Sequence, residues 1–260
     1  MNAPLSGPQR QARLLDQVRT HHFVDVQALT ELFGVSVATI RRDLSELETQ
    51  GLLRRTHGGA LFVDQVTRDQ ANRDRTVANV EAKRRIAQAA ADLVVDGDTV
   101  IIDAGTTSLE VARQLGTRSG LTIITNSLDI SHELANNATG DNRLFVIGGE
   151  FHDVNHSFSG PLAAEAVRRF NADKAILSVS SVDLNRGTIG LPSPQFACVQ
   201  QAMIAVAKAA IVVADASKFG RASLSVVARF DALDCIVTDD DAPAEADQKT
   251  VAHGSLLVRA

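Results

Sequence analysis

The sequence predicts an α/β protein in two parts: a small winged helix-turn-helix domain over residues 1–62, then a larger α/β domain with a mostly parallel sheet over residues 81–260. Three observations predict it. Residues 9–50 carry apolar positions at helical spacing, interrupted by a glycine turn. From residue 83 onward, short β-rich runs alternate with helical segments, the pattern of a parallel sheet with crossover helices. Between them "VDQVTRDQANRDRTVANV", residues 63–80, is polar and weakly periodic and reads as a linker.

Leu14, Leu15 and Val18 mark the apolar face of a first helix. Asp25 is placed to cap a second, in which Val26, Leu29, Leu32 and Phe33 recur at helical spacing. Gly34 supplies a turn. Ser36 can cap a third helix whose Val37, Ile40, Leu44 and Leu47 fall on one stripe, and Gly51 ends it. "LLRRTHGGALF" reads as a hairpin turning at Gly58-Gly59. In the larger domain the strand runs are 99–103, 121–125, 143–147, 174–179, 210–214 and 234–238, with helices such as 83–95, 107–115 and 161–170 between them. "DDDAPAEADQ", 239–248, reads as a solvated acidic loop.

Composition narrows the function classes. Hydrophobic residues make up 45% and charged residues 22% of 260, with a net charge of -5. That balance excludes a wholly basic nucleic-acid binder but leaves room for a local basic patch. Residues 1–62 hold seven Lys/Arg and six Asp/Glu, and four of the seven are the pairs Arg41-Arg42 and Arg54-Arg55. Trp and Tyr are absent, which argues against single-strand binding by aromatic stacking. Cys198 and Cys235 have neither metal nor disulfide spacing and read as small buried hydrophobes in a reducing compartment. No apolar run reaches transmembrane length and "MNAPLSGPQRQ" has no signal core, so the expectation is a cytoplasmic protein with no membrane partner.

With Ile40, Leu44 and Leu47 facing a core, Ala38, Arg42, Ser45 and Thr49 point away, flanked by Thr39 and Arg41. Short polar side chains and guanidinium forks then stand where phosphates and base edges of duplex DNA would meet them. Asp43 could orient an arginine or cap locally. A wing carrying Arg54, Arg55 and His57 could follow the backbone or enter the minor groove. "LTELFGVSVATIRRDLSELETQGLLRRTHGGA", Leu29 to Ala60, resembles the DNA-binding signature of DeoR-family bacterial transcription regulators. The resemblance places Ser36, Val37, Thr39, Arg41 and Arg42 in the recognition helix and its start, and Arg55, His57 and Gly58 in the wing.

In open parallel sheets ligands gather beyond the carboxyl ends of strands. Here those ends carry Asp103, Gly105, Thr106 and Thr107, then Thr125 and Asn126, Gly148 and Gly149, Ser180, Ser181 and Asp183, and finally Asp215, Ser217 and Lys218. "IIDAGTTSLEVARQL" suits an anion: glycine lets backbone approach, hydroxyls donate, and the helix start is positive. Lys218 could add a point charge. "IIDAGTTSLEVA", "TIITNSLDI", "FVIGGE" and "VVADASKFGR" resemble the effector domain of the same family, which implies a ribose-5-phosphate-isomerase-like fold and a phosphorylated sugar or related metabolite as effector. By motif, the implied effector residues are Asp103, Gly105, Thr106, Thr107, Asn126, Gly149 and Lys218. Many members carry an acidic residue and then a Lys-Arg pair in the helix ending near Met203; here Gln200-Gln201 stand at the basic positions, with no acid from Leu191 to Met203. "FDALDCIVTDDDAP" is similar to regulators of glycerol-3-phosphate use.

His152 and His156 have a spacing that suits a metal only on a helix, and "FHDVNHSF" reads as a loop, so no metal and no cofactor are expected. The reading is a DNA-binding regulator, a repressor of carbohydrate or polyol genes, that is a homo-oligomer on operator DNA and releases it in response to a metabolite. Two other readings stand beside it. One is a sugar-phosphate isomerase with Asp103 or Asp183 as base; the other is a metabolite-binding protein whose helical N-terminus serves association.

Overall fold

In the computed structural model the described residues are 7–21, 23–49, 53–55, 58–61, 78–139 and 141–260. They fall in two units, Met1–Val66 and Thr67–Ala260. The expected linker lies outside the described residues up to 77, as do Gly51 and His57.

The first unit holds α1 (Gly7–His21), β1 (Phe23–Asp25), α2 (Val26–Phe33), α3 (Val37–Thr49), β2 (Arg54–Arg55) and β3 (Gly59–Leu61). Leu14, Val18, Leu29, Ile40, Leu44, Leu47, Leu53 and Ala60 form its core. Asp25 caps α2 by accepting from the Gln27 and Ala28 N–H groups, and Gly34 ends it in the left-handed conformation, φ 62°. The strands form an antiparallel sheet ordered β1-β3-β2. This corrects two expectations. Residues 23–25, read as part of a helical run, form a strand, and Gly59 lies in β3 opposite Asp25 instead of at a turn. Gly58 precedes it, and its carbonyl accepts from the Val26 N–H at 2.9 Å.

The second unit opens with α4 (Val80–Asp92), β4 (Thr99–Ile102), α5 (Thr106–Leu115), β5 (Thr122–Thr125), α6 (Leu128–Asn137) and β6 (Arg143–Val146). A hairpin of β7 (Glu150–His152) and β8 (Ser157–Ser159) follows, then α7 (Gly160–Val167) and β9 (Ala172–Ser178). Next come β10 (Ser181–Asp183), β11 (Thr188–Leu191), α8 (Pro194–Val206), β12 (Ala207–Val213), β13 (Ser225–Arg229), β14 (Cys235–Thr238), α9 (Ala246–Ala252) and β15 (Leu256–Arg259). Seven strands make one parallel sheet, ordered β15-β14-β12-β9-β4-β5-β6. Successive residues of β4 serve opposite faces: Ile101 enters one core, Val100 and Ile102 the other. Both faces are covered, so the central strands read as continuous apolar runs.

Strand order reverses at β4. The chain runs outward through β5 and β6, returns past β4 to β9, and continues to β15. The carboxyl ends of β4 and β9 therefore flank a crevice no crossover helix can fill.

Four parts of the unit differ from their sequence reading, one of them a separate antiparallel sheet ordered β10-β11-β13 that has no counterpart in the predicted elements. Residues 150–159 pair as a hairpin with Phe151 opposite Phe158, ring centroids 5.5 Å apart. In the acidic stretch Asp239 is buried, accepting from the Ala216 N–H at 2.7 Å, and α9 begins at Ala246. The edge strand β15 has no counterpart in the predicted elements. Cys235 is buried in β14, which pushes its thiol up to about 11, while Cys198 is half-buried. No helix among the described residues is long and apolar enough to cross a membrane.

Ile102 is fully buried at the middle of the sheet, whereas Leu256 on the edge is 63% exposed. Ile102→Ala should destabilise the unit by about 2–5 kcal/mol; Leu256→Ala should stay within about 0.5 kcal/mol. Urea denaturation followed by circular dichroism checks the contrast.

Candidate functional site

The first unit presents α3. The Ser36 Oγ accepts from the Thr39 N–H at 3.2 Å and lies 2.9 Å from the Thr39 hydroxyl, so Ser36 caps the helix. Burial of Ile40, Leu44 and Leu47 leaves Ser36, Val37, Ala38, Arg41 and Arg42 exposed, with Thr39 half-buried. Of the two roles open to Asp43, the structure shows the first. Its carboxylate is buried and takes the Arg10 Nε at 2.6 Å and Nη2 at 3.2 Å, with Gln11 Nε2 at 3.2 Å. That charge-assisted fork fastens α3 to α1 and compensates an acid that would otherwise weaken phosphate binding. In the wing, the backbone of Arg54 and Arg55 forms β2.

The second unit carries a pocket at the carboxyl ends of β4 and β9. Asp103, Gly105, Thr106, Thr107, Asn126 and Lys218 line it together, with Ser178, Ser180, Asn155, Ser157, Leu191 and Phe196 among the other walls. Gly105 has φ 155°, and a Cβ there would come within 2.5 Å of the Ser178 Cβ, so the turn into α5 can pass β9 only as glycine. The Ser178 Oγ accepts from the Ser108 N–H at 3.1 Å and lies 2.9 Å from the Ser108 hydroxyl, which fixes the first turn of α5. The Asn126 side chain spans the pocket edge: its Oδ1 accepts from the Ala104 N–H at 3.2 Å and its Nδ2 donates to the Phe158 carbonyl at 3.0 Å. Asp103 is buried, and Gln200 Nε2 donates to its Oδ2 at 2.5 Å and to the Ser178 carbonyl at 2.6 Å.

Gly149 is placed apart from these residues. A Cβ at Gly149 would meet the Ser159 carbonyl at 2.7 Å and the Ala163 Cβ at 2.8 Å, so its lack of a side chain serves the packing of β8 and α7. Asp183 also lies outside the pocket lining, and its Oδ1 accepts from the N–H groups of Asn185 and Arg186. His156 Nδ1 is 2.9 Å from Asp129 Oδ1 and His152 meets the Phe196 ring edge-on at 5.0 Å, on a hairpin instead of a helix. Ser178, Asn155 and Ser157 escape the sequence reading of the site, and Gln200 enters it only as a departure from a basic position, not as a partner of Asp103. Ser178 lies within the strand run 174–179 with no glycine beside it, and Asn155 and Ser157 sit in a segment without a phosphate-type motif.

Asp215, at the turn bearing Lys218, is 1% exposed. Its Oδ1 accepts from the Ser217 N–H at 3.0 Å and from Asn79 Nδ2 at 3.1 Å. Burial works against the charged form, but the Lys218 charge, Ser217 and the Asn79 amide outweigh it, and the carboxyl sits below its ordinary value of 3.8.

A helix-turn-helix with an exposed basic reading face, joined to an α/β unit with a polar pocket at its topological switch point, defines a DNA-binding regulator with a small-molecule sensor. Comparison with known proteins agrees: residues 10–66 match the DeoR-like helix-turn-helix domain and residues 78–240 the DeoR C terminal sensor domain. The chain belongs to the DeoR family of transcriptional regulators. It is 50% identical over 235 residues to the transcriptional repressor AccR of Agrobacterium fabrum, covering 90% of each chain. Identity is 34% over 250 residues to the HTH-type transcriptional regulator GlpR of Haloferax volcanii, 96% of each chain. It is 31% over 245 residues to the glycerol-3-phosphate regulon repressor of Escherichia coli, 94% of this chain and 96% of the relative. Among solved structures, ribose 5-phosphate isomerase A of Methanocaldococcus jannaschii aligns with a TM-score of 0.40 at 17% identity over 55% of each chain.

The depressed Asp215 carboxyl carries a pH signature. Its stabilisation is present above the unfolded value near 3.8 and is lost as pH falls through the lower folded value. Asp215→Asn should lower the melting temperature at pH 7, by about 2–4 °C for each kcal/mol lost. The gap to wild type should narrow as pH falls through the lowered folded value. Thermal melts at pH 7 and in a descending acid series read both.

Proposed function

We propose that this protein is a repressor of carbohydrate or polyol metabolism genes whose grip on operator DNA is set by a phosphorylated sugar or related metabolite. The observation that carries the effector class is the convergence of Gly105, Thr106, Thr107 and Lys218 on one pocket with Asp103 and Asn126. A helix start, hydroxyls and a lysine suit an anionic group; a carboxylate and an amide suit sugar hydroxyls. A relative named for the glycerol-3-phosphate regulon supports the same class. Gly149 is not needed for this role.

On the DNA side, Ser36, Val37, Ala38, Thr39, Arg41 and Arg42 of the recognition helix enter the major groove, and the wing of Arg54, Arg55, His57 and Gly58 follows the backbone. The protein works in the cytoplasm as a dimer or tetramer, because operator half-sites mirror protein symmetry. The domain boundaries are 1–62 and 81–260, with a linker between them. The pocket senses and does not catalyse: Asp103 is engaged by Gln200, and Asp183 closes a turn away from it. Effector binding shifts DNA affinity by a coupling of about 1–3 kcal/mol.

Gel retardation with the promoter of its own operon tests both halves. Arg41→Ala with Arg42→Ala should weaken DNA binding at least about tenfold and flatten its salt dependence. A panel of sugar and polyol phosphates should release wild-type protein from DNA, and Thr106→Val, Thr107→Val or Lys218→Met should abolish release while leaving DNA binding intact. No retardation at low salt would sink the reading.

A further inference from the structure

The polarity of the pocket is set from behind its wall. Gln200 projects from α8, is fully buried, and does not line the pocket; Asp103 and Ser178, to which its amide nitrogen donates, do. Asp103 follows β4 and Ser178 ends β9, at the reversal of the sheet. The other amide atom, Oε1, is buried without a hydrogen-bond partner. Turning the amide over would not relieve it, because the oxygen would then face the Asp103 carboxylate and the Ser178 carbonyl, both acceptors. The amide is therefore held in one orientation, with its donor side on the pocket wall, at the expense of an orphaned acceptor.

Gln200 supports Asp103 without contributing a charge. A phosphate oxygen beside Asp103 would meet like charge, whereas a hydroxyl would find a fixed acceptor. Thr106, Thr107 and Lys218, on the same pocket, offer the donors and positive charge that an anion needs. We infer that Gln200 is a specificity-determining positioning residue: it holds Asp103 as the acceptor for a polyol's hydroxyls, and thereby restricts the effector to a single phosphate directed at Thr106, Thr107 and Lys218. This rests on the sensing pocket proposed above and names its ligand class, a monophosphorylated sugar or polyol with bisphosphates rejected.

Calorimetric titration of the full-length protein with matched pairs tests it: ribose 5-phosphate against ribose 1,5-bisphosphate, and glucose 6-phosphate against glucose 1,6-bisphosphate. Wild type should prefer the monophosphate of a binding pair by at least about tenfold, since like charges set side by side are costly. Gln200→Lys, which brings an ammonium to Asp103, should move that ratio at least about tenfold toward the bisphosphate. Gln200→Met, which keeps the volume and removes the donor to Asp103, should also lower the monophosphate preference and serves if the lysine variant does not fold. A purely structural Gln200 would lower the melting temperature and leave the ratio alone. Sugar monophosphates that bind with an unmoved ratio in both variants would overturn the role of Gln200 alone. Failure of both pairs to bind wild type would overturn it together with the sugar-phosphate reading.

Discussion

The second unit depends on one close approach. The sheet reverses direction at β4, and the loop leaving β4 must cross the end of β9 before α5 can begin. At the crossing there is no room for a side chain, since a Cβ on Gly105 would sit 2.5 Å from that of Ser178. With glycine there, the Ser178 hydroxyl is near enough to tie down the start of α5 through Ser108. The helix start, Asp103 and the β9 end are consequently held in fixed relation before any ligand arrives. Pre-organisation of this kind limits the entropy a ligand must lose on binding.

Charge is distributed with the same economy. Lysines at the amino ends of the strands are used structurally: Lys174 reaches Asp98 at 2.5 Å and Lys208 reaches Asp173 at 2.7 Å, which also accepts from the Thr99 N–H. These pairs steady the sheet at the end remote from the pocket. The pocket end has Lys218 beside a buried Asp215 and a carboxylate, Asp103, supported by an uncharged amide. In the first unit, the Arg10–Asp43 fork spends one arginine on fastening α3 and leaves Arg41 and Arg42 exposed on its outer face.

What the sequence reveals follows from what periodicity and motif can report. The runs at 99–103, 121–125, 143–147, 174–179, 210–214 and 234–238 all belong to the parallel sheet; in the interior strands burial on both faces forces a continuous apolar run, while 143–147 forms the edge strand β6 with Val146 exposed. Leu256–Arg259 forms the opposite edge; it carries the apolar triplet Leu256-Leu257-Val258, with Leu256 exposed, and is absent from the predicted runs. Phe23–Asp25 is hidden because three residues are too few for alternation to show, and the helix spacing on either side runs across them. The 150–159 hairpin is concealed by polar residues at its turn. At the pocket, Gly105-Thr106-Thr107 is legible as a local motif, whereas Ser178 and Gln200 act through contacts between segments 22 to 97 residues apart in the chain. Gly149 shows the converse, a glycine in a family motif whose place in the structure is explained by packing.

Asp215 bears on how a pocket could speak to a DNA-binding unit. Its carboxylate is shared between the turn that brings Lys218 to the pocket and the side chain of Asn79, at the entrance to the second unit. Asn79 holds a left-handed backbone, φ 53°, unusual for a residue with a side chain, and its side chain reaches Asp215 instead of capping α4. The preceding Ala78 carbonyl is bound in turn by the buried Lys83 ammonium at 2.6 Å. The chain that leads back to the DNA-binding unit is thus held at its entrance by contacts that include the acid neighbouring Lys218. An effector can change DNA affinity only to the extent that it binds one arrangement of the protein better than another. A carboxylate shared by the pocket turn and Asn79 ties Lys218's turn to the start of α4, so a ligand that moves one moves the other.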